Sequence, residues 1–266
     1  MNKNSVISIL VLNLMPDKAK TQQHLTSLFT KSGLTIKATF CYPATHRFRT
    51  KKSLIDIKEY VSFPEVKATD FDGLIVTGAA IEQLPFEAID YWQELCEIFN
   101  WAQTHCRKVL TICWAAQAGM YYFGGVEKHL LNKKVFGIYP AVTQTVHPLL
   151  NGFSQQIILP FSRYTTNYIA EVAASPLKVL ADSAEAGPAI CATADDHNYF
   201  VTGHPEYQLT TLLEEYQRDQ QRQQIIAPPE NYFINDNTAI INSAWLPQTQ
   251  QLFKNWFGLL EQAKVC

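Results

Sequence analysis

Apolar residues fall along this chain in short unbroken runs, separated by stretches in which they return every third or fourth position. Val6 to Leu14 is almost continuously apolar, as in a parallel strand buried on both faces, and Met15-Pro16-Asp17 breaks it. Leu25, Leu28 and Phe29 then recur at helical spacing as far as Gly33, which predicts an amphipathic helix. Leu34 to Cys41 predicts a second strand, ended by Pro43. Thr45 to Lys52 is basic and loop-like, and residues 54–66 read as helical and then irregular. Phe71 to Ala80 is a third strand running into a glycine turn. Phe86 to Cys106 carries Ile89, Trp92, Leu95, Phe99 and Ala102 at helical spacing, which predicts one long helix. Val109 to Ile112 is a fourth strand. Strands and helices alternating in this way argue for an α/β fold, with a mostly parallel sheet and helices on both faces.

Beyond residue 125 the pattern shortens. Val135–Tyr139, Ile157–Pro160, Leu177–Leu180, Ala189–Ala192 and Tyr199–Thr202 read as short strands, with a hairpin turn at Asp195–Asn198. Helices are expected from about Gln208 to Arg222 and from about Gln248 to Ala263. No internal repeat and no linker-like composition divides the chain, so residues 1–266 are expected to form a single domain.

Composition narrows the function classes. A net charge of −2 over 266 residues, with a pI near 6.4, offers no electrostatic attraction to nucleic acid or an anionic membrane. No apolar run reaches membrane-spanning length and nothing reads as a signal peptide. The six cysteines lack C-x-x-C spacing, so neither a metal site nor a disulfide framework is suggested, and a reducing cytoplasmic location is expected.

Cys113 is the first candidate for chemistry. The strand ending at Ile112 delivers it into the start of a helix rich in small residues, Trp114-Ala-Ala-Gln-Ala-Gly119. That is the layout of a nucleophile elbow, and a helix N-terminus favours a thiolate there. The alternative is a buried core cysteine, a common fate for that residue. Gly203-His-Pro-Glu206 follows another strand, and strand ends are where open α/β sheets place reactive residues. His204 can serve as base and Glu206 can fix its tautomer; on an extended segment their i, i+2 spacing would put both on one side. An oxyanion needs two donors. The backbone N–H of Trp114 offers one, and the turn Thr77-Gly-Ala-Ala-Ile-Glu82 offers the other, expected at Ala80.

Together with Leu12-Asn-Leu-Met-Pro16, Thr77-Gly-Ala, Ile112-Cys-Trp-Ala-Ala-Gln-Ala118, Phe136-Gly137 and Val201-Thr-Gly-His-Pro-Glu-Tyr207, these residues resemble the MetA family of homoserine O-acyltransferases over roughly residues 6–260. The resemblance implies a flavodoxin-like sheet related to class I glutamine amidotransferases. It implies that Cys113 takes the acyl group of an acyl-CoA, His204 relays protons and Glu206 holds His204. Acetyl-CoA would be a co-substrate, with no bound cofactor and small-molecule substrates as the only partners beyond a second copy in a homodimer. Lys134, Ser162 and Arg218 match substrate-contacting positions. Arg218 suits an amino-acid carboxylate through bidentate hydrogen bonds, or it could be a surface partner of Glu214. Glu82 stands where the family selects its donor. A glutamate there goes with acetyl-CoA and a glycine with succinyl-CoA, since a carboxylate would repel the succinyl group.

The chain departs from the family pattern in four places. Pro140-Ala141 stands where the family often has Glu-His, and Phe161 where it has His. Trp245-Leu-Pro-Gln248 replaces Trp-Arg-Ser-His, and Thr45-His-Arg-Phe-Arg49 replaces a Ser/His-rich segment. The family's usual N-terminal extension is also missing. L-Serine, one methylene shorter than homoserine, therefore stays open as the acceptor, with methionine or cysteine biosynthesis following from that choice. Succinyl-CoA stays open as the donor. A glutaminase using the same triad is a rival, although Thr111-Ile-Cys-Trp-Ala115 lacks the glycines such elbows prefer.

Overall fold

The computed structural model describes residues 6–48, 58–235 and 237–263. In chain order its elements are β1 (Ile7–Leu12), α1 (Lys18–Lys31), β2 (Ile36–Tyr42), β3 (Val61–Ser62), the single turn α2 (Phe63–Val66), β4 (Phe71–Val76), α3 (Trp92–His105), β5 (Cys106–Ile112) and α4 (Trp114–Gly124). They continue with β6 (His129–Thr143), β7 (Gln156–Thr166), α5 (Ile169–Ala174), β8 (Lys178–Ser183), β9 (Gly187–Ala192), β10 (Asn198–Val201), α6 (Thr211–Gln221), β11 (Phe233–Ile234), β12 (Asn237–Ile241) and α7 (Leu246–Gln262). The ten strands β1 to β10 form one sheet in the order β3-β2-β1-β4-β5-β10-β9-β8-β6-β7. From β3 to β10 all neighbours run parallel, and the β9, β8, β6, β7 end is antiparallel.

Alternation along each central strand feeds two cores. Ile7, Ile9, Val11, Ile75, Leu110 and Ile112 pack with Leu25, Leu28 and Phe29 of α1 and with Phe253, Trp256 and Phe257 of α7. Leu10, Leu12, Leu74, Val76 and Val109 pack on the opposite face with Trp92, Leu95, Ile98 and Phe99 of α3. Each such side chain contributes about 1.5–3 kcal/mol by leaving water, so strands covered on both sides are held hardest. The expectation of a parallel sheet with helices on both faces is met. The expected hairpin at 195–198 is also present, joining β9 to β10.

Several local expectations need correction. The expected helix over 86–106 is split: Phe86–Ala88 is a 3-10 turn, Ile89 is extended at φ −82° and ψ 131°, and α3 begins only at Trp92. Its first apolar residues are periodic because they are buried, not because they are helical. Phe86 stacks on Trp92 at 5.3 Å and on Tyr121 at 4.9 Å. The short strands expected at 135–139 and 157–160 are parts of a long hairpin, β6 with β7, whose register slips between Leu130 and Val135. Polar residues hide the strand pattern in β7, where Arg163 and Thr165 are buried and held by their own hydrogen bonds. Of the expected 54–66 segment, residues 58–66 lie among the described residues: a turn at 58–59, then β3 and the single helical turn α2.

The β6–β7 hairpin also docks the chain that follows α6. Gly137 sits at φ +149°, and a Cβ there would lie 2.3 Å from the Glu230 carbonyl oxygen. Only glycine leaves room for the paired bonds Ile138 N–H to Glu230 O and Glu230 N–H to Phe136 O, both 2.9 Å.

Candidate active site

The C-terminal ends of β1, β4, β5 and β10 deliver their loops to one place. At the end of β5, Cys113 adopts φ +52° and ψ −115°, a conformation that strains any residue other than glycine by about 1–3 kcal/mol. The chain accepts it because both sides are clamped. The Cys113 N–H donates to Val201 O at 2.8 Å, and the Cys113 carbonyl accepts from Gln117 N–H at 3.1 Å as α4 begins. Ala115, Ala116 and Ala118 are fully buried behind it, where larger side chains would not fit between helix and sheet. Cys113 is thus the N-cap of α4, and the first N–H groups of that helix, Trp114 included, lack intrahelical acceptors.

His204 and Glu206 meet, but not along an extended segment. The chain leaves β10 at Val201 and turns, with Tyr207 N–H donating to His204 O at 3.2 Å. This turn brings His204 Nδ1 to 2.8 Å from Glu206 Oε1. The antiparallel end of the sheet contributes as well: His204 N–H donates to Pro160 O of β7 at 2.8 Å. The Tyr207 ring stacks on the imidazole, centroids 4.1 Å apart. Burial alone lowers the basicity of His204. The charge of Cys113, the charge of Glu206 and a hydrogen bond to each outweigh burial and hold the pKa well above the ordinary histidine value. The arrangement can therefore keep an imidazolium between two anions, ready to give up or recover a proton.

The β4 loop closes over the pair. A Cβ on Gly78 would stand 3.2 Å from both Cys113 Cβ and His204 Cε1, so the backbone itself passes against these two side chains at Gly78, with Ala80 two residues further on. Thr77 Oγ1 accepts from Leu14 N–H at 2.8 Å and ties this loop to that of β1. Lys128 holds its far end, donating to Glu82 O and Leu84 O, each at 2.6 Å.

A cavity of 630 Å³ opens above Cys113, and Ala80, Glu82, Lys134, Ser162, His204, Glu206 and Arg218 all line it. Trp114 does not; its side chain is buried in the core. Sequence reasoning missed much of the opposite wall. Glu215 accepts from Ser162 Oγ and from Tyr207 OH, both at 2.5 Å, and lies 3.8 Å from Lys134 Nζ. Asp219, also buried, lies 3.4 Å from Lys134 Nζ and accepts from Arg218 Nε at 2.9 Å. Arg218 does not pair with Glu214, which bonds Lys20 instead. Glu215, Arg218, Asp219 and Arg222 share one helical face by their i, i+3, i+4, i+7 spacing, a signal present in the sequence. His24 of α1 lines the cavity too, with burial lowering its basicity.

Arg163 was also unforeseen. This β7 residue is 1% exposed, and its guanidinium donates to the carbonyls of Thr165 and Ala186. Burial lowers its pKa to about 10, against the opposing charges of Cys113 and Tyr139. Thr165 in turn donates to Gln117 at 2.8 Å, one turn along α4 from Cys113. A buried guanidinium therefore stands near Cys113, tied to α4 through Thr165 and Gln117. Among the described residues, no group of three or more His, Cys, Asp or Glu side chains could hold a metal ion.

Replacing Glu206 with Gln removes one of the two charges that raise His204. The imidazole titration, followed by NMR, is expected to move to lower pH; an unmoved titration would detach Glu206 from His204.

The chain resembles a glutamine amidotransferase from Thermotoga maritima with a TM-score of 0.64 at 10% identity, over 98% of this chain and 99% of that one. A glutamine amidotransferase from Methylobacillus flagellatus gives a TM-score of 0.58 at 12% identity, over 97% of this chain and 94% of that one. These likenesses are ones of fold. Sequence relatives are nearer. A homoserine O-acetyltransferase of Bacillus subtilis is 40% identical over 254 residues, 94% of this chain and 84% of that protein. One from Catenibacterium mitsuokai is 38% identical over 258 residues, 95% of this chain and 83% of that protein. The family profile described as homoserine O-succinyltransferase matches residues 2–264, and the chain belongs to that family.

Proposed function

We propose that the protein is a homoserine O-acetyltransferase, moving the acetyl group of acetyl-CoA to the side-chain hydroxyl of L-homoserine through an acetyl-Cys113 intermediate. The observation that carries this reading is the convergence of Cys113, His204 and Glu206 with a charged wall in one cavity. The chain around that cavity is about 40% identical to proteins bearing that name.

The proton inventory closes. The Cys113 thiolate attacks the thioester carbonyl, and the oxyanion faces the start of α4, where Trp114 N–H and an N–H of the Gly78–Ala80 loop serve as donors. As the tetrahedral species collapses, the imidazolium of His204 protonates the departing CoA thiolate. Acylation removes the charge on Cys113, which is the strongest influence raising the His204 pKa. The neutral imidazole then accepts the proton of the homoserine hydroxyl as that oxygen attacks the acetyl carbonyl. Collapse of the second tetrahedral species returns Cys113 as thiolate beside the imidazolium. Arg218 and Lys134 supply cations to the acceptor carboxylate, Glu215 and Asp219 supply anions to its ammonium group, and Ser162 adds a hydroxyl.

Homoserine is preferred over serine because the departures from the family pattern stand away from this cavity. Pro140, Ala141, Phe161 and the 245–248 segment do not line it. Phe161 is a core residue against Tyr139, and Gln248 caps Ile158 N–H at 2.7 Å. The amidotransferase-like fold also suits a glutaminase, but the sequence relatives favour acyl transfer. The five described cysteines are free thiols, which supports a reducing cytoplasmic location. A single domain is supported by the one continuous sheet from β1 to β10, and a homodimer rests on the family resemblance alone.

Two measurements test the assignment. CoA release is expected from acetyl-CoA with homoserine, to be roughly 10- to 100-fold slower with serine, and to vanish in Cys113→Ser. Turnover with serine alone, or glutamine hydrolysis without any CoA release, would overturn it. Glu82→Gly is expected to raise succinyl-CoA use relative to acetyl-CoA by roughly tenfold or more, since it removes a like charge from the donor's carboxylate. An unchanged donor ratio would take Glu82 out of donor selection.

A further inference from the structure

A second cavity, of 690 Å³, lies on the other side of the β4 loop from Cys113. Its walls come from the segments that follow β1, β2 and β4. Met15, Pro16, Ala79, Ala80, Ile81 and Leu84 line both cavities, so the two chambers meet at the loop that passes over the nucleophile. They meet at the β1/β4 crevice, where the strand order reverses, and open α/β sheets bind their ligands in such crevices.

The chambers differ in chemistry. The first carries Lys134, Glu215, Arg218 and Asp219, a surface suited to a small zwitterion. The second is walled by Phe48, Ile89 and Tyr91, with the exposed cation Arg47. Its other ionic groups are engaged. Lys18 Nζ donates to Asn13 O at 2.7 Å and Met15 O at 3.2 Å. The Asp90 carboxylate lies 3.1 Å from His46 Nδ1 and accepts from Arg47 N–H at 2.9 Å, which fixes the segment bearing Phe48. An extended ligand with an apolar arm, an aromatic base and phosphates fits such a wall: the arm against aliphatic surface, the base against an aromatic ring, the phosphates toward a guanidinium.

We propose that the second cavity receives the pantetheine and nucleotide portion of the acyl-CoA donor, whose thioester reaches Cys113 past the Ala79–Ile81 loop while the amino-acid acceptor occupies the first cavity. The assignment rests on the acyl-CoA reading above. Donor and acceptor thus approach Cys113 from different chambers, and the loop carrying Glu82 lies between them.

In a ping-pong reaction, kcat/KM for each substrate reports its own half-reaction, which allows the chambers to be probed separately. Ala88 is exposed and lines only the second cavity. Ala88→Trp is expected to lower kcat/KM for acetyl-CoA roughly tenfold or more and to leave kcat/KM for homoserine within about twofold. It should also leave unchanged the use of S-acetyl-N-acetylcysteamine, a thioester without the nucleotide. Phe48→Ala should weaken the donor step in the same selective way and serves if the tryptophan variant does not fold. Unchanged acetyl-CoA kinetics in a folded variant, or an equal loss with the truncated thioester, would overturn the assignment while leaving the acetyltransferase reading intact. Wild-type protein that turns over no acyl-CoA would instead overturn both.

Discussion

A cysteine held at φ +52° between a strand and a helix is the constraint on which the rest of the site depends. The conformation is costly for a residue with a Cβ, so the surrounding sheet has to over-determine it. β5 is hydrogen-bonded on both edges, to β4 and to β10, and each of those neighbours ends in a loop that approaches Cys113. The same pairing that pins Cys113 to Val201 sets where His204 emerges three residues later. Cys113, His204 and the β4 loop are therefore placed by backbone register, not by flexible side chains.

Electrostatics then decide what the geometry can do. His204 is buried, which by itself would favour the neutral ring. Charge and hydrogen bonding from Cys113 and Glu206 reverse that preference, and in the proposed reaction acylation would remove the Cys113 contribution. On the proposed mechanism the base strength of the imidazole would follow the state of Cys113: cationic when a leaving thiolate needs a proton, more readily neutral when an incoming hydroxyl must lose one. The guanidinium of Arg163 is buried as well, and burial lowers its pKa to about 10 against the opposing charges of Cys113 and Tyr139.

The legible part of the sequence was the part written in local chemistry. Apolar runs marked β1, β4 and β5 because strands buried on both faces carry few polar positions, with Asp72 and Thr111 as buried exceptions. The elbow was readable from a run of small residues after a cysteine. The 86–91 segment was misread because burial against Trp92 and Tyr121 produces the same spacing as a helix. The His204–Glu206 pair was found for an incomplete reason, since a turn and not strand alternation brings the two together. Arg163, Gln117 and the Gly78 backbone contact were invisible because they depend on which loops meet across the sheet. Glu215 and Asp219 were readable in principle from the face they share with Arg218.

The covalent intermediate is the central claim, and intact-protein mass spectrometry after mixing with acetyl-CoA in the absence of acceptor tests it most directly. The account predicts one acetyl group per chain, mapped by peptide digestion to Cys113, absent in Cys113→Ser and discharged on addition of homoserine. Steady turnover with no acetylated chain at any time, or acetyl mapped to another residue and discharged by homoserine, would contradict it.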